Sequence, residues 1–130
     1  MKAIVVHTDK GAIDLAWEEI SGVSPGPDDV LLDIHATAVN RADLLQARGL
    51  YPAPPGDSPI LGLEVAGQIK AVGRAVEAWV PGDRVCALAL GGGYAEQIVL
   101  PQGLLIPLPD QWSYVLGAAV PEVWLTAYSN

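Results

Sequence analysis

The sequence predicts a mainly β chain with short helices: a compact β-barrel-like domain, then two further helices. Three observations carry this. The 14 glycines and 11 prolines fall between apolar runs of only a few residues, the punctuation of many short strands. One early segment, 40–49, has helix-forming composition. From Ser113 onward the sequence becomes continuous and apolar, with helix start signals.

The elements follow in order. Ala3–His7 and Leu15–Ile20 read as strands, and Ser24-Pro-Gly-Pro-Asp-Asp29 as a turn, because proline fixes φ and glycine supplies the unusual one. Val30–Ala36 is a third, apolar strand. Asn40 suits an N-cap, the residues after it favour helix, and Gly49 fits the position just past its end. Pro52–Pro59 holds four prolines and cannot be regular structure. Gly62–Val72 is a longer strand whose internal glycines predict a bend or bulge. After the turn Pro81-Gly82-Asp83, Arg84–Leu90 and Tyr94–Leu100 are strands around Gly91-Gly92-Gly93. Ser113 caps a helix over Tyr114–Val120, and a second helix, Glu122–Tyr128, starts after Pro121. The sequence stops within that helical pattern, which predicts a fragment.

Composition narrows function. Hydrophobic residues are 51% and charged residues 17%, which opposes disorder. The formal charge is −8 and nothing basic follows Arg84, so no nucleic-acid partner is expected. A single cysteine, Cys86, cannot build a disulfide framework or a multi-cysteine metal cluster. No apolar run reaches the ~18 residues of a membrane span, and the start is too short for a secretory signal. The expectation is a soluble cytoplasmic protein without a membrane partner.

Searching by residue type yields little. Gly91-Gly-Gly-Tyr-Ala-Glu96 fails the dinucleotide fingerprint at its last position, and Gly62–Gly67 lacks the lysine of a phosphate loop. His7 and His35 lie in separate strands with nothing paired nearby, so no metal site is expected. What remains surrounds the short helix: Asn40, Arg41 and Asp43 in its first turn, Tyr51 just beyond it, and Glu64 in an apolar run. Asp43 suits the helix dipole, and Tyr51 suits coverage of apolar surface. Glu64 either faces solvent or is buried with a partner, for which Arg41, Arg48 and Arg84 are candidates. Residue types alone name no function.

The run Asn40-Arg-Ala-Asp-Leu-Leu-Gln-Ala-Arg-Gly-Leu-Tyr-Pro-Ala-Pro-Pro-Gly-Asp-Ser-Pro-Ile-Leu-Gly-Leu-Glu-Val-Ala-Gly67 resembles the zinc-independent quinone oxidoreductases, in particular the p53-inducible type. These belong to the medium-chain dehydrogenase/reductase superfamily. Pro81-Gly-Asp-Arg-Val85, Gly91-Gly-Gly-Tyr-Ala95 and Ala118-Ala-Val-Pro-Glu-Val-Trp-Leu-Thr-Ala127 extend the likeness.

The resemblance implies a partly open, chaperonin-10 (GroES)-like catalytic domain over 1–112. Residues 113–130 would be connecting helices that lead into a Rossmann domain absent here. It implies hydride transfer from NADPH to a quinone, a homodimeric full-length protein, and a fragment inactive by itself. Where zinc-dependent relatives place ligands, this sequence has Asn40, Leu63 before Glu64, and Glu122, which implies no zinc. The Asn40 amide and the Tyr51 hydroxyl would then steady the developing oxyanion of an electron-poor acceptor. Thr126 would lie beside the nicotinamide, with Asp43 and Glu64 as structural support. The alternatives are an alkenal or enoyl double-bond reductase and a non-catalytic chaperonin-10-like binding module.

Overall fold

The computed structural model describes residues 1–130. Two strands, β1 (Lys2–Asp9) and β2 (Ala12–Glu19), form an antiparallel hairpin closed by Lys10 and Gly11, both at positive φ. Five more build the main sheet: β3 (Asp29–Thr37), β4 (Glu64–Val72), β5 (Arg84–Leu88), β6 (Gln97–Pro101) and β7 (Leu105–Pro107). Their order is β6-β3-β4-β5-β7, and every pairing is antiparallel. Ala3 bridges Ala95, and the Ile4 N–H donates to the Tyr94 carbonyl at 2.8 Å, so the hairpin joins the main sheet just ahead of β6. The result is mainly β, with open sheets rather than one closed barrel.

Three helices complete the chain: α1 (Arg41–Ala47), α2 (Tyr114–Ala118) and α3 (Pro121–Ser129). Ser113 caps α2 as its sequence position predicts, its Oγ accepting the Leu116 N–H at 3.1 Å. Pro121 opens α3 in the first turn, where its missing N–H costs nothing. No helix is long and apolar enough to cross a membrane.

Period-two alternation sorts the side chains. Val65, Ile69, Val85 and Ala87 join Val30, Leu32, Ile98, Leu100 and Leu105 in the core on one face of the sheet. Ala66 and Cys86 point to the other face and pack under Ala118 of α2. Trp79 covers the first core and donates its indole N–H to the Gln102 carbonyl at 3.1 Å. The expected irregularity in β4 lies at Lys70, where the pairing jumps from Leu31↔Ala71 to Leu32↔Ile69; a second shift leaves His35 of β3 unpaired. Gly67 serves a different need. A Cβ there would lie 2.2 Å from the Asp33 carbonyl oxygen, so only glycine lets β3 pass so close.

Several boundaries differ from the sequence reading. Tyr94–Glu96 is not part of β6, because its backbone divides its bonds: the Glu96 N–H donates to the Lys2 carbonyl of β1 at 2.9 Å, while the Glu96 carbonyl accepts the Ile34 N–H of β3 at 2.9 Å. The short β7 and the 3-10 turn Gln102–Leu104 carry no strong local signal, and β7 exists only by pairing with β5.

Candidate functional site

Glu64 opens β4 and has no exposed surface. None of the three arginines named from sequence is its partner. Its Oε1 accepts from Asn40 Nδ2 at 2.8 Å, and its Oε2 accepts from the Glu122 N–H at 2.9 Å. A single carboxylate thus serves the first turns of two helices, where partial positive charge favours an anion. Arg84 is engaged elsewhere. Its guanidinium donates to the carbonyls of Pro109, Asp110 and Trp112, and it stacks 4.6 Å from the Tyr114 ring centroid. The histidines are likewise not isolated. His35 stacks on Tyr114 with centroids 4.3 Å apart, and His7 meets Glu18 at 2.9 Å.

Asn40 is the N-cap residue of α1 by position, but its side chain has turned to Glu64. The cap is closed from the other direction: the Asn40 N–H donates to Asp43 Oδ2 at 2.7 Å. That oxygen also accepts the Tyr94 O–H at 2.6 Å. Asp43 is buried, its Oδ1 has no donor, and the Gln46 Oε1 one turn on is similarly unpartnered.

The Glu64 carboxylate is acceptor-only, so it must face the NH2 end of the Asn40 amide. That fixes the amide's orientation and leaves its second N–H free of Glu64. Asn40, Arg41, Ala42 and Leu45 form one wall of an open cleft of about 520 Å³, and Glu122, Val123, Thr126 and Ala127 of α3 form the other. The cleft therefore brings Asn40 and Thr126 together, with Glu64 and Asp43 behind Asn40. Tyr51 stands apart: it is half exposed in the loop beyond α1 and does not line the cleft. A larger cavity of about 740 Å³ is lined by Ile20, Ile60, Leu90, Ile98 and Leu100 among others, and holds none of the predicted site residues.

Two further residues belong to this site. Arg41 is the only cation on the cleft wall. Tyr94, read from sequence as the start of a strand and given no site role, lies 51 residues from Asp43. The Tyr94 hydroxyl titrates well above the ordinary phenol, first because it is buried, then because it donates to Asp43 and feels the charges of Asp43 and Glu64. Burial and, less strongly, the Glu64 charge push the Cys86 thiol up as well. Both are acids whose folded value exceeds the unfolded one. Stability is therefore complete below the unfolded values of about 9 and 10 and is lost as pH rises above them. Urea titrations from pH 8 to 11 should show this loss, with a shallower slope for Cys86→Ala. An unchanged slope would remove the thiol's part in it.

Residues 26–110 match the profile of the Alcohol dehydrogenase GroES-like domain. Erythronolide synthase EryA2 of Saccharopolyspora erythraea is 40% identical over 127 residues, covering 91% of this chain and 3% of that protein. The quinone oxidoreductase of Pseudomonas syringae pv. tomato DC3000 superposes with a TM-score of 0.81 at 33% identity, covering 97% of this chain and 39% of its own. The Escherichia coli quinone oxidoreductase complexed with NADPH gives 0.78 at 29%, with 88% and 35% covered. The CurK enoyl reductase gives 0.77 at 30%, with 87% and 36% covered. The chain thus spans well under half the length of each of these proteins.

Proposed function

Since the chain belongs to the alcohol dehydrogenase GroES-like domain family of the medium-chain oxidoreductases, we propose that it is the N-terminal catalytic part of a zinc-free reductase. The reaction is hydride transfer from NADPH to a quinone or a similarly electron-poor acceptor. Residues 1–112 form the catalytic domain and 113–130 the connecting helices. The single observation that carries the reading is the Asn40 amide, locked by Glu64 and standing at the cleft opposite Thr126.

The donor set fits this chemistry. No three His, Cys, Asp or Glu side chains come together as a metal would require, and Glu64 spends its two oxygens on the Asn40 amide and the Glu122 N–H. A simple ketone needs a strong electrophile at its oxygen. A conjugated acceptor is already electron-poor, so neutral donors suffice to steady the charge that develops. Asn40 supplies one N–H. Tyr51 is proposed as a second donor, approaching from the loop beyond α1. The cleft volume falls in the range of small-ligand sites, about 300–1,000 Å³. It suits the reactive end of a dinucleotide, with the Thr126 hydroxyl beside the ring and the Arg41 guanidinium toward phosphate oxygens. When bound, the nicotinamide supplies the hydride. Glu64 and Asp43 hold Asn40 in place and take no part in the chemistry.

Val123, Trp124 and Tyr128 of α3 are largely exposed. Apolar surface of this kind supports a further part of the protein packing over α3, and a homodimeric whole.

The CurK likeness supports a second reading within the same mechanism, reduction of an enoyl double bond. The test uses protein expressed from its full coding sequence, with NADPH and either benzoquinone or a crotonyl thioester. Turnover of benzoquinone supports the first reading, and turnover of the thioester alone supports the second. Consumption of neither defeats both. Asn40→Ala should lower kcat/KM by about 10²-fold, the usual cost of one oxyanion donor. Tyr51→Phe should lower it less, and unchanged kinetics in both variants would remove these assignments.

A further inference from the structure

We propose that Tyr94 is a positioning residue for the Asn40 amide, acting through the Asp43 carboxylate; the inference rests on the role given to Asn40 above. The Tyr94 O–H and the Asn40 N–H meet on the same oxygen, Asp43 Oδ2, at 2.6 and 2.7 Å. The other oxygen of this buried carboxylate has no donor, and none of the ion pairs in the molecule involves Asp43. Tyr94 is therefore the only side chain that hydrogen-bonds Asp43. A buried carboxylate held by two donors loses half its support when one is removed.

Tyr94 is itself rigidly mounted. Its N–H donates to the Leu61 carbonyl at 2.8 Å and its carbonyl accepts the Ile4 N–H at 2.8 Å. Tyr94 lines a different depression, with Trp17, Ile34 and His35, and is not among the residues of the cleft with Asn40. It thus does not touch an acceptor bound there. It transmits the position of the β1 strand and of the Leu61 segment to the N-cap residue of α1, whose side chain lines the cleft. Displacing a catalytic group by about 1 Å is enough to cost up to about 10²-fold in rate.

The experiment is a double-mutant cycle on protein expressed from its full coding sequence, with NADPH and benzoquinone. Tyr94→Phe should lower kcat by about 10- to 100-fold with KM nearly unchanged. In an Asn40→Ala background the same change should leave kcat where Asn40→Ala alone put it, while still lowering the thermal midpoint. Additive losses in kcat, or a wild-type kcat in Tyr94→Phe, would overturn the inference and leave the Asn40 assignment standing. A wild-type kcat in Asn40→Ala would overturn both. Should Tyr94→Phe fail to fold, Asp43→Asn carries the same cycle: coupled losses support the relay and additive ones reject it.

Discussion

Glu64→Leu should destabilise the fold by about 1–3 kcal/mol for each of the two donors it strands, the Asn40 Nδ2–H and the Glu122 N–H. Leucine fills the space, so the loss reports unmet hydrogen bonds and not a cavity. The first turns of α1 and α3 also lose the anion that favours them. Glu64→Gln should be milder, because its carbonyl still accepts from one donor while its NH2 opposes the other. Urea unfolding of the three proteins measures the order. Glu64→Leu as stable as wild type would mean that water replaces the carboxylate without loss, and that the junction is not what holds the two helices.

Gly62→Ala should cost about 2–5 kcal/mol, from an unfavourable backbone and from overpacking together. Gly62 has φ +101, and a Cβ there would lie 2.7 Å from the Gly93 Cα and 2.7 Å from the Tyr94 nitrogen. Both are backbone atoms, so no flexible side chain can yield. An added Cβ would have to displace the Tyr94 backbone, so the substitution should also move the hydroxyl that reaches Asp43. The measurement is the urea midpoint, beside Gly56→Ala, where φ is +99 and nothing lies within 4 Å of an added Cβ. Equal losses at the two positions would reduce the effect to backbone preference and dismiss the close contact.

Much of the fold was legible because its signals are local. Glycine and proline set the strand ends, Ser113 marked α2, and the apolar runs became β3, β4 and β5 within a few residues. The site was legible in part. Asn40, Asp43, Glu64 and Thr126 were named from sequence, and the structure gathers them around one cleft wall and its backing. Their connections were not legible. The search for an arginine beside Glu64 followed charge, whereas a carboxylate between two helix starts is satisfied by neutral N–H groups. Asn40 is the N-cap that its residue type predicts, with Asp43 three residues later closing a capping box on its N–H, but nothing in the residue type foretells that its amide reaches Glu64. Tyr94 reaches Asp43 across 51 residues, and no period or local preference encodes such a meeting.

The shared Glu64 carboxylate also has a mechanical consequence. One oxygen is tethered to α3 and the other to the Asn40 amide, so α3 cannot slide along its axis without tugging that amide. Any ligand or neighbouring part that shifts α3 is felt directly at Asn40, across two hydrogen bonds and one rigid group of atoms. Grip on the far side of the cleft and aim on the near side become one variable.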